Sequence, residues 1–327
     1  MSYSADIVMR AKAVLAQQRA DAQSRYNQRL QEAYEKVPRL RQIDKQLRLS
    51  MTLAAKTVFS EGGDPQAAME EVKKANLLLQ QERKALLEEN FAPGFLEEET
   101  ICAHCGGSGY LGSTMCSCLQ SICRQEQKKT LSQLTRGAER FEDFRLDYYP
   151  DAVDRAVGVS PRSLMEKTFR VARQFALEFV PGCGNLLFCG YTGLGKTFLS
   201  ACIADVVADK GYGIVYESAP SLFAMLEKNR FNPTDITRAE CEKYETCDLL
   251  IIDDLGTEMP GNFVTAALYA LLNQRLLDGK SMLISTNLNN EEIAKRYSPQ
   301  IASRLQGEFT NLPFLGQDIR VLKARGK

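Results

Sequence analysis

The sequence predicts an α/β protein. A parallel sheet is built around a phosphate-binding loop, and ahead of it come a helical N-terminal region and a small cysteine module with the spacing of a zinc site. Three observations predict this. "NLLFCGYTGLGKTFLS" runs from an apolar strand through a glycine-rich turn into a helix. Three further apolar segments, "GIVYES", "DLLIID" and "SMLIST", follow it and alternate with helical stretches, the pattern of a parallel sheet. Ahead of them lie two close cysteine pairs, Cys102-x-x-Cys105 and Cys116-x-Cys118.

The 327 residues suit two or three domains. The divisions expected are a helical hairpin over 1–95, a zinc-binding module with its helix over 96–139, a linker over 140–159 and the nucleotide-binding domain over 160–327. Ile7, Val8, Ala11, Val14 and Leu15 recur at helical spacing, and so do Leu40, Ile43, Leu47 and Met51. "EGGDP" interrupts this pattern, with Asp64 a candidate cap and Pro65 at the first position of a helix carrying Val72, Leu79 and Leu86. A polar helix is expected over 119–134. "RFEDFRLDYYPD" is aromatic and acidic without clean periodicity and reads as a linker packing on the next domain. Ser160, followed by Pro161, caps a further helix. Between "DLLIID" and "SMLIST" a helix carries Phe263, Ala267, Leu271 and Leu276.

Composition excludes several classes. Basic and acidic side chains balance at 41 each, so no global charge points to nucleic acid. Residues 1–50 carry ten Lys and Arg against five Asp and Glu, a surplus that reads as a solvated helical face. "MSYSADIVMRAKAVLAQQR" has no continuous apolar core, and no run of about 18 apolar residues occurs, so neither a signal peptide nor a membrane span is expected. The ten cysteines then read as those of a reducing, cytoplasmic compartment. The single histidine, His104, lies between two cysteines, which excludes a Ser-His-Asp or Cys-His hydrolase unless His104 itself is recruited.

The chemistry is carried by local motifs. Gly190, Gly195, Lys196 and Thr197 satisfy G-x-x-x-x-G-K-[ST] between a strand and a helix. The loop Gly190, Tyr191, Thr192, Gly193, Leu194, Gly195 would offer backbone N–H groups to phosphate oxygens. Lys196 would reach the β and γ phosphates of ATP, and Thr197 would ligate Mg²⁺. "LLIIDDLG" places Asp253 at a strand end facing that ion, with Asp254 next to it as the carboxylate that would polarise a water. Glu258 is a second candidate for that role, and a strand-end cap is the bland reading of Asp254. Thr286 and Asn287 end the following strand, where a polar side chain can sense the γ-phosphate. Arg304 in "IASRLQ" could act on a neighbouring subunit's phosphate. The two cysteine pairs flank a glycine turn, "GGSGY", and suit tetrahedral zinc, with redox pairing the alternative. Cys123 or His104 could replace one ligand. Cys183, Cys189, Cys202, Cys241 and Cys247 read as small buried hydrophobes.

"GYTGLGKTFLS", "CDLLIIDDLGTE", "LISTNL" and "IASRLQGEF" together resemble AAA+ ATPases of the bacterial DnaC/DnaI type, the loaders of the replicative helicase. "CAHCGGSGY…CSC" is similar to the zinc-bearing region of the DnaI-like branch. The resemblance runs from about Cys102 to the end. It implies Lys196 and Thr197 as loop residues, Asp253 and Asp254 as the acidic pair, Asn287 as sensor 1 and Arg304 as an arginine finger. It also implies an ATPase cycle, self-association through the ATPase domain, a DnaB-type helicase hexamer docked on the N-terminal hairpin, and single-stranded DNA as a partner. Lys228 and Arg230 are the candidate DNA contacts, with ordinary surface charge as the alternative. The tail "GQDIRVLKARGK" leaves no room for the helical lid of most AAA+ proteins, a truncation shared with the IstB transposition ATPases. An IstB-type helper acting on duplex DNA and a transposase, a nucleotide-binding adaptor with little turnover, and a small-molecule kinase are the rival readings.

Overall fold

A computed structural model describes residues 3–60, 65–135, 139–155 and 157–324. The expected cap at Asp64 lies outside them, as does the side chain of Met51. The chain divides into two compact units, Ala13–Cys116 and Met1–Lys12 with Ser117–Lys327.

The first helix, α1, is Ala5–Lys36, and its first eight residues belong to the larger unit. It stops at Lys36 and leaves Val37 non-helical, because a proline disfavours helical backbone in the residue ahead of it. Pro38 opens α2 (Pro38–Ser60), and α3 is Pro65–Asn90. Arg39 pairs with Glu82 at 2.7 Å, Arg83 with Asp44 at 2.8 Å, and Ser50 with Asn76 at 2.7 Å. Residues 39 and 44 of α2 meet residues 82 and 83 of α3, and residue 50 meets residue 76, so the two helices run in opposite directions as an antiparallel hairpin. The two-residue strands β1 (Tyr110–Leu111) and β2 (Thr114–Met115) form an antiparallel ribbon beside the cysteines.

In the larger unit, α4 (Ser117–Thr135) leads to two short 3-10 turns, Phe141–Asp143 and Leu146–Tyr148. Helix α5 (Pro161–Glu178) starts as expected, with the Ser160 side chain accepting from the Ser163 N–H and Pro161 in the first turn. Then strands and helices alternate: β3 (Leu186–Cys189), α6 (Lys196–Asp209), β4 (Ile214–Ser218), α7 (Ala219–Phe231), α8 (Asp235–Thr246), β5 (Leu249–Leu255), α9 (Asn262–Leu277) and β6 (Ser281–Thr286). They end with α10 (Asn290–Arg296), α11 (Pro299–Glu308), β7 (Thr310–Pro313) and α12 (Ile319–Ala324).

The five parallel strands lie in the order β4-β5-β6-β3-β7. Four were expected. The fifth, "TNLP", is short, ends in proline and lies at the sheet edge, where a missing N–H is tolerated. Alternate residues feed two cores: Leu186, Phe188, Leu249, Ile251 and Leu283 on one face, Leu187, Leu250, Ile252, Met282 and Ile284 on the other. Because the strands are all parallel, the loops after β3 and β5 open at the same end of the sheet, flanking β6. Clefts at such a point, past the C-terminal strand ends, are where α/β sheets bind ligands. No helix among the described residues is long and apolar enough to cross a membrane.

One buried cation fixes the far side of the sheet. Arg275 is fully buried on α9. It donates to the carbonyls of Tyr244 (2.7 Å), Glu245 (3.1 Å), Cys247 (3.1 Å) and Ser281 (2.7 Å). The first two belong to the last turn of α8, whose carbonyls have no helical partner and carry the negative end of the helix dipole. Arg275→Met should therefore leave several buried carbonyls unsatisfied and lower unfolding free energy by about 3 kcal/mol or more. Urea denaturation of the two proteins measures this, and a loss below about 1 kcal/mol would mean water replaces the guanidinium.

Candidate nucleotide-binding site

The loop after β3 wraps a cleft of about 650 Å³ whose floor is Thr192, Gly193, Leu194, Gly195, Lys196 and Thr197. Gly195, at φ 91°, turns the chain into α6 so that the helix N-terminus opens on the cleft. Gly193 has no room for a side chain, since a Cβ there would stand 2.1 Å from the Asp318 carboxylate. Lys196 is almost fully buried. Its ammonium donates to the Gly190 carbonyl (2.6 Å), the Tyr191 carbonyl (2.8 Å) and Asn287 Oδ1 (2.6 Å). Gly190 and Tyr191 thus enter through their backbone, and the Tyr191 side chain points outward. Burial pushes the Lys196 ammonium down, while Asp254 and Asp253 pull it back up.

Both acids line the same cleft. Strand alternation alone would send neighbours to opposite faces. The register with β6 shifts between Ile252 and Leu255, and Asp254 takes φ 56°. This bulge re-aims the pair. Asp253 is buried and accepts from Tyr216 Oη on Oδ2 (2.9 Å) and from Ser285 Oγ on Oδ1. The Asp254 N–H donates to the same Ser285 Oγ at 2.9 Å. A buried carboxylate, the Thr197 hydroxyl and the loop lysine in one cleft are the hard oxygen donors and the cation that a Mg²⁺–nucleotide complex requires, so the residues fit that group. Asp254 stands where it could polarise a water.

Glu258, the second candidate for that role, is spoken for. Its carboxylate accepts from the Gly256 N–H (2.9 Å), Arg296 Nε (3.3 Å) and Tyr297 Oη, and it does not line the cleft.

Two walls of the cleft come from segments the motifs did not mark. Phe144, Arg145, Tyr148 and Tyr149 of the linker form one; Ile319, Arg320 and Lys323 of α12 form the other. Tyr149 is fully buried and donates to the Leu194 carbonyl at 2.9 Å, and the Ile319 N–H donates to the Gly193 carbonyl at 2.9 Å. The aromatic density of "RFEDFRLDYYPD" was the only signal for the first wall. The second had only scattered basic residues in the short tail "GQDIRVLKARGK".

Arg304 does not line this cleft. It lies over the Tyr269 ring, 5.1 Å from its centroid, and donates to the phenol oxygen at 3.3 Å. Lys228 and Arg230 are both exposed near the end of α7. Two residues apart on a helix, they point away from each other. Arg230 lies 5.7 Å from the Phe263 ring centroid, and the exposed Phe231 is 6.3 Å from the same ring.

The four cysteines gather as their spacing implied. The sulfurs of Cys102, Cys105, Cys116 and Cys118 all lie within 4.8 Å of one another. Cys102 and Cys116 are 3.8 Å apart, the edge of a tetrahedron with metal–sulfur bonds of about 2.3 Å. The Gly109 N–H donates to Cys105 Sγ at 3.3 Å, a contact that favours a thiolate. The donor set is therefore compatible with zinc. Cys123 is buried in α4 and His104 is exposed; neither is among the gathered ligands.

A P-loop, an acidic pair at the end of the third parallel strand and a polar residue just past the strand between them define the core of a P-loop nucleotide-binding domain. Residues 162–302 match the IstB-like ATP binding protein family. Among curated relatives, the uncharacterized protein YdaV of Escherichia coli (strain K12) is 26% identical over 136 residues, 41% of this chain and 54% of that protein. The putative ATP-binding protein of insertion sequence IS21 from Pseudomonas aeruginosa is 24% identical over 162 residues, 48% of this chain and 60% of its own length. The chain thus spans only a little over half the length of these relatives. Among solved structures, the DnaC helicase loader aligns at 22% identity and a TM-score of 0.45, covering 54% of this chain and 100% of that one.

The acidic pair makes the site a source of strain that pH relieves. Burial first, then Asp253, pushes the Asp254 carboxyl above its ordinary 3.8. An acid raised in the folded chain gives most stability when protonated, and that contribution is lost as pH rises from the unfolded value through the folded one. Asn tolerates positive φ. In EDTA, Asp254→Asn should therefore unfold at a higher temperature than the parent at about pH 7, with the gap closing towards about pH 4. A gap independent of pH would assign it to something other than charge.

Proposed function

We propose that the chain is an ATP-hydrolysing helicase loader of DNA replication, in which nucleotide controls self-association and the hold on single-stranded DNA. Asp254 polarises the attacking water, Asn287 senses the γ-phosphate beside Lys196, and Arg304 acts on a neighbour's nucleotide. The N-terminal hairpin docks the replicative helicase, a DnaB-type hexamer, in the cytoplasm. The observation that carries this reading over a transposition helper is the gathered four-cysteine module next to long helices. The resemblance to the DnaI-like branch covers that module, and the IstB-type relatives it implies lack one. On this reading the cysteines hold one zinc ion, and Lys228 and Arg230 meet DNA, with the Arg230, Phe231 and Phe263 group offering aromatic faces to unpaired bases.

The IstB-type reading is favoured by one observation, the family match over residues 162–302. A pull-down with full-length protein separates the two. Capture of the replicative helicase, lost when 1–95 is removed, supports the loader; capture of a transposase moves the chain to the other class.

Zinc analysis of protein purified without added metal should give about one ion per chain. A Cys102→Ser, Cys105→Ser variant that keeps its full metal would refute this ligand set.

ATP turnover should rise more steeply than linearly with protein concentration, because the finger and the pocket it serves lie on different chains. Arg304→Ala should lose that rise and still bind ATP. Mixing it with Lys196→Ala should restore part of the turnover, since one chain supplies an intact pocket and the other an intact finger. Turnover proportional to concentration and indifferent to Arg304 would point to a monomeric enzyme.

A further inference from the structure

Asp253 is held by side chains from both neighbouring strands. Tyr216 comes from β4 and lies opposite Ile251 in the β4–β5 register, two residues before the acid. Its ring is buried and its hydroxyl reaches along β5 to donate to Asp253 Oδ2 at 2.9 Å. Ser285 comes from β6 on the other side, is fully buried, and donates to Asp253 Oδ1. The Ser285 oxygen also accepts the Asp254 N–H at 2.9 Å, so one hydroxyl fixes the carboxylate of one acid and the backbone of the next.

An ionised carboxylate has about four lone-pair sites. Here one on each oxygen is taken by a protein donor. A carboxylate with a donor on each oxygen cannot rotate freely about its Cβ–Cγ bond, so the lone pairs left for a ligand keep a fixed direction. A divalent ion beside ATP is sensitive to this, since Mg²⁺ demands near-octahedral oxygen geometry. Groups that orient a metal's ligand without touching the metal typically alter its affinity 10- to 100-fold.

We propose that Tyr216 and Ser285 are positioning residues that fix the Asp253 carboxylate from both sides and thereby set the divalent-cation affinity of the nucleotide site. This rests on the reading of Asp253 as the carboxylate facing Mg²⁺. It adds two residues from strands that otherwise look like plain sheet core, and it assigns their hydroxyls a purpose distinct from packing.

The test is binding, not turnover. A fluorescent ATP analogue is titrated into full-length protein in EDTA, and then Mg²⁺ is titrated at a fixed analogue concentration. Tyr216→Phe keeps the ring and removes only the hydroxyl. It should match the parent in EDTA but need at least about tenfold more Mg²⁺ for half-saturation, equivalent to about 1.4 kcal/mol. Ser285→Ala should shift the same way, and Ser285→Thr, which restores a hydroxyl, should recover most of the shift. Asp253→Asn is the control: it should abolish the Mg²⁺ dependence. A merely structural role for Tyr216 would lower the melting temperature and weaken binding in EDTA and in Mg²⁺ alike. If Asp253→Asn loses the Mg²⁺ dependence while Tyr216→Phe and Ser285→Ala titrate like the parent, the positioning role is wrong and the reading of Asp253 stands. If Asp253→Asn also titrates like the parent, the reading of Asp253 falls and takes the proposal with it.

Discussion

Two carboxylates of like charge stand side by side at the end of the buried strand β5, and the rest of the site is arranged to keep them there. A regular strand would put Asp253 and Asp254 on opposite faces. The bulge opposite β6 and the left-handed backbone of Asp254 bring both to one cleft. This is unfavourable locally, because burial and mutual repulsion both oppose ionisation of the second acid. Three things hold the arrangement: hydroxyls from β4 and β6 on Asp253, the Asp254 N–H on Ser285, and the buried Lys196 nearby. Lys196 itself is bonded to carbonyls and to Asn287, not to either acid. Its charge is therefore positioned by the loop and shared with the cleft.

How much of this was legible in the sequence depends on whether the signal was local. The phosphate loop and "LLIIDD" carry their chemistry within a dozen residues, so the loop, the acids and the four strands β3 to β6 could be read directly. The cysteine cluster was legible for the same reason: its ligand spacing is set by a single turn. Tyr216 and Ser285 could be read only as strand residues. What they touch depends on the register between strands, which no short stretch encodes. The cleft walls were illegible on similar grounds. Phe144 and Tyr149 sit in a segment with neither a helical nor a strand period, and Arg320 rides on a helix of six residues.

Glu258 shows the reverse error, in which sequence proximity suggests a role that packing assigns elsewhere. It lies four residues beyond Asp254, close enough to be a candidate on spacing alone. Its carboxylate is instead taken up by Arg296 and Tyr297 of α10 and the turn after it, together with the Gly256 N–H. A buried acid whose carboxylate is taken up by a cation and two further donors is no longer available to a water in the cleft. The same bonds tie the loop after β5 to α10, so Glu258 supports the position of the acidic pair from behind. Arg275 does comparable work at the opposite end of the strands, where it takes up the carbonyls ending α8 and the one opening β6.

The arrangement of cations bears on what nucleotide could control. Lys196, Arg145, Arg320 and Lys323 all line the cleft of their own chain, whereas Arg304 does not and is occupied with Tyr269. A nucleotide held by one chain would thus find its charge met on the loop side, the linker side and the α12 side. Binding requires no second chain on this geometry. Under the proposed reading only the transition state does, because the charge that develops there would be met by an arginine from outside. Under that reading, ATP occupancy would be a property of the single chain and ATP loss a property of the assembly. A switch needs this asymmetry: its ligand must be able to load before the partner arrives and be consumed only after.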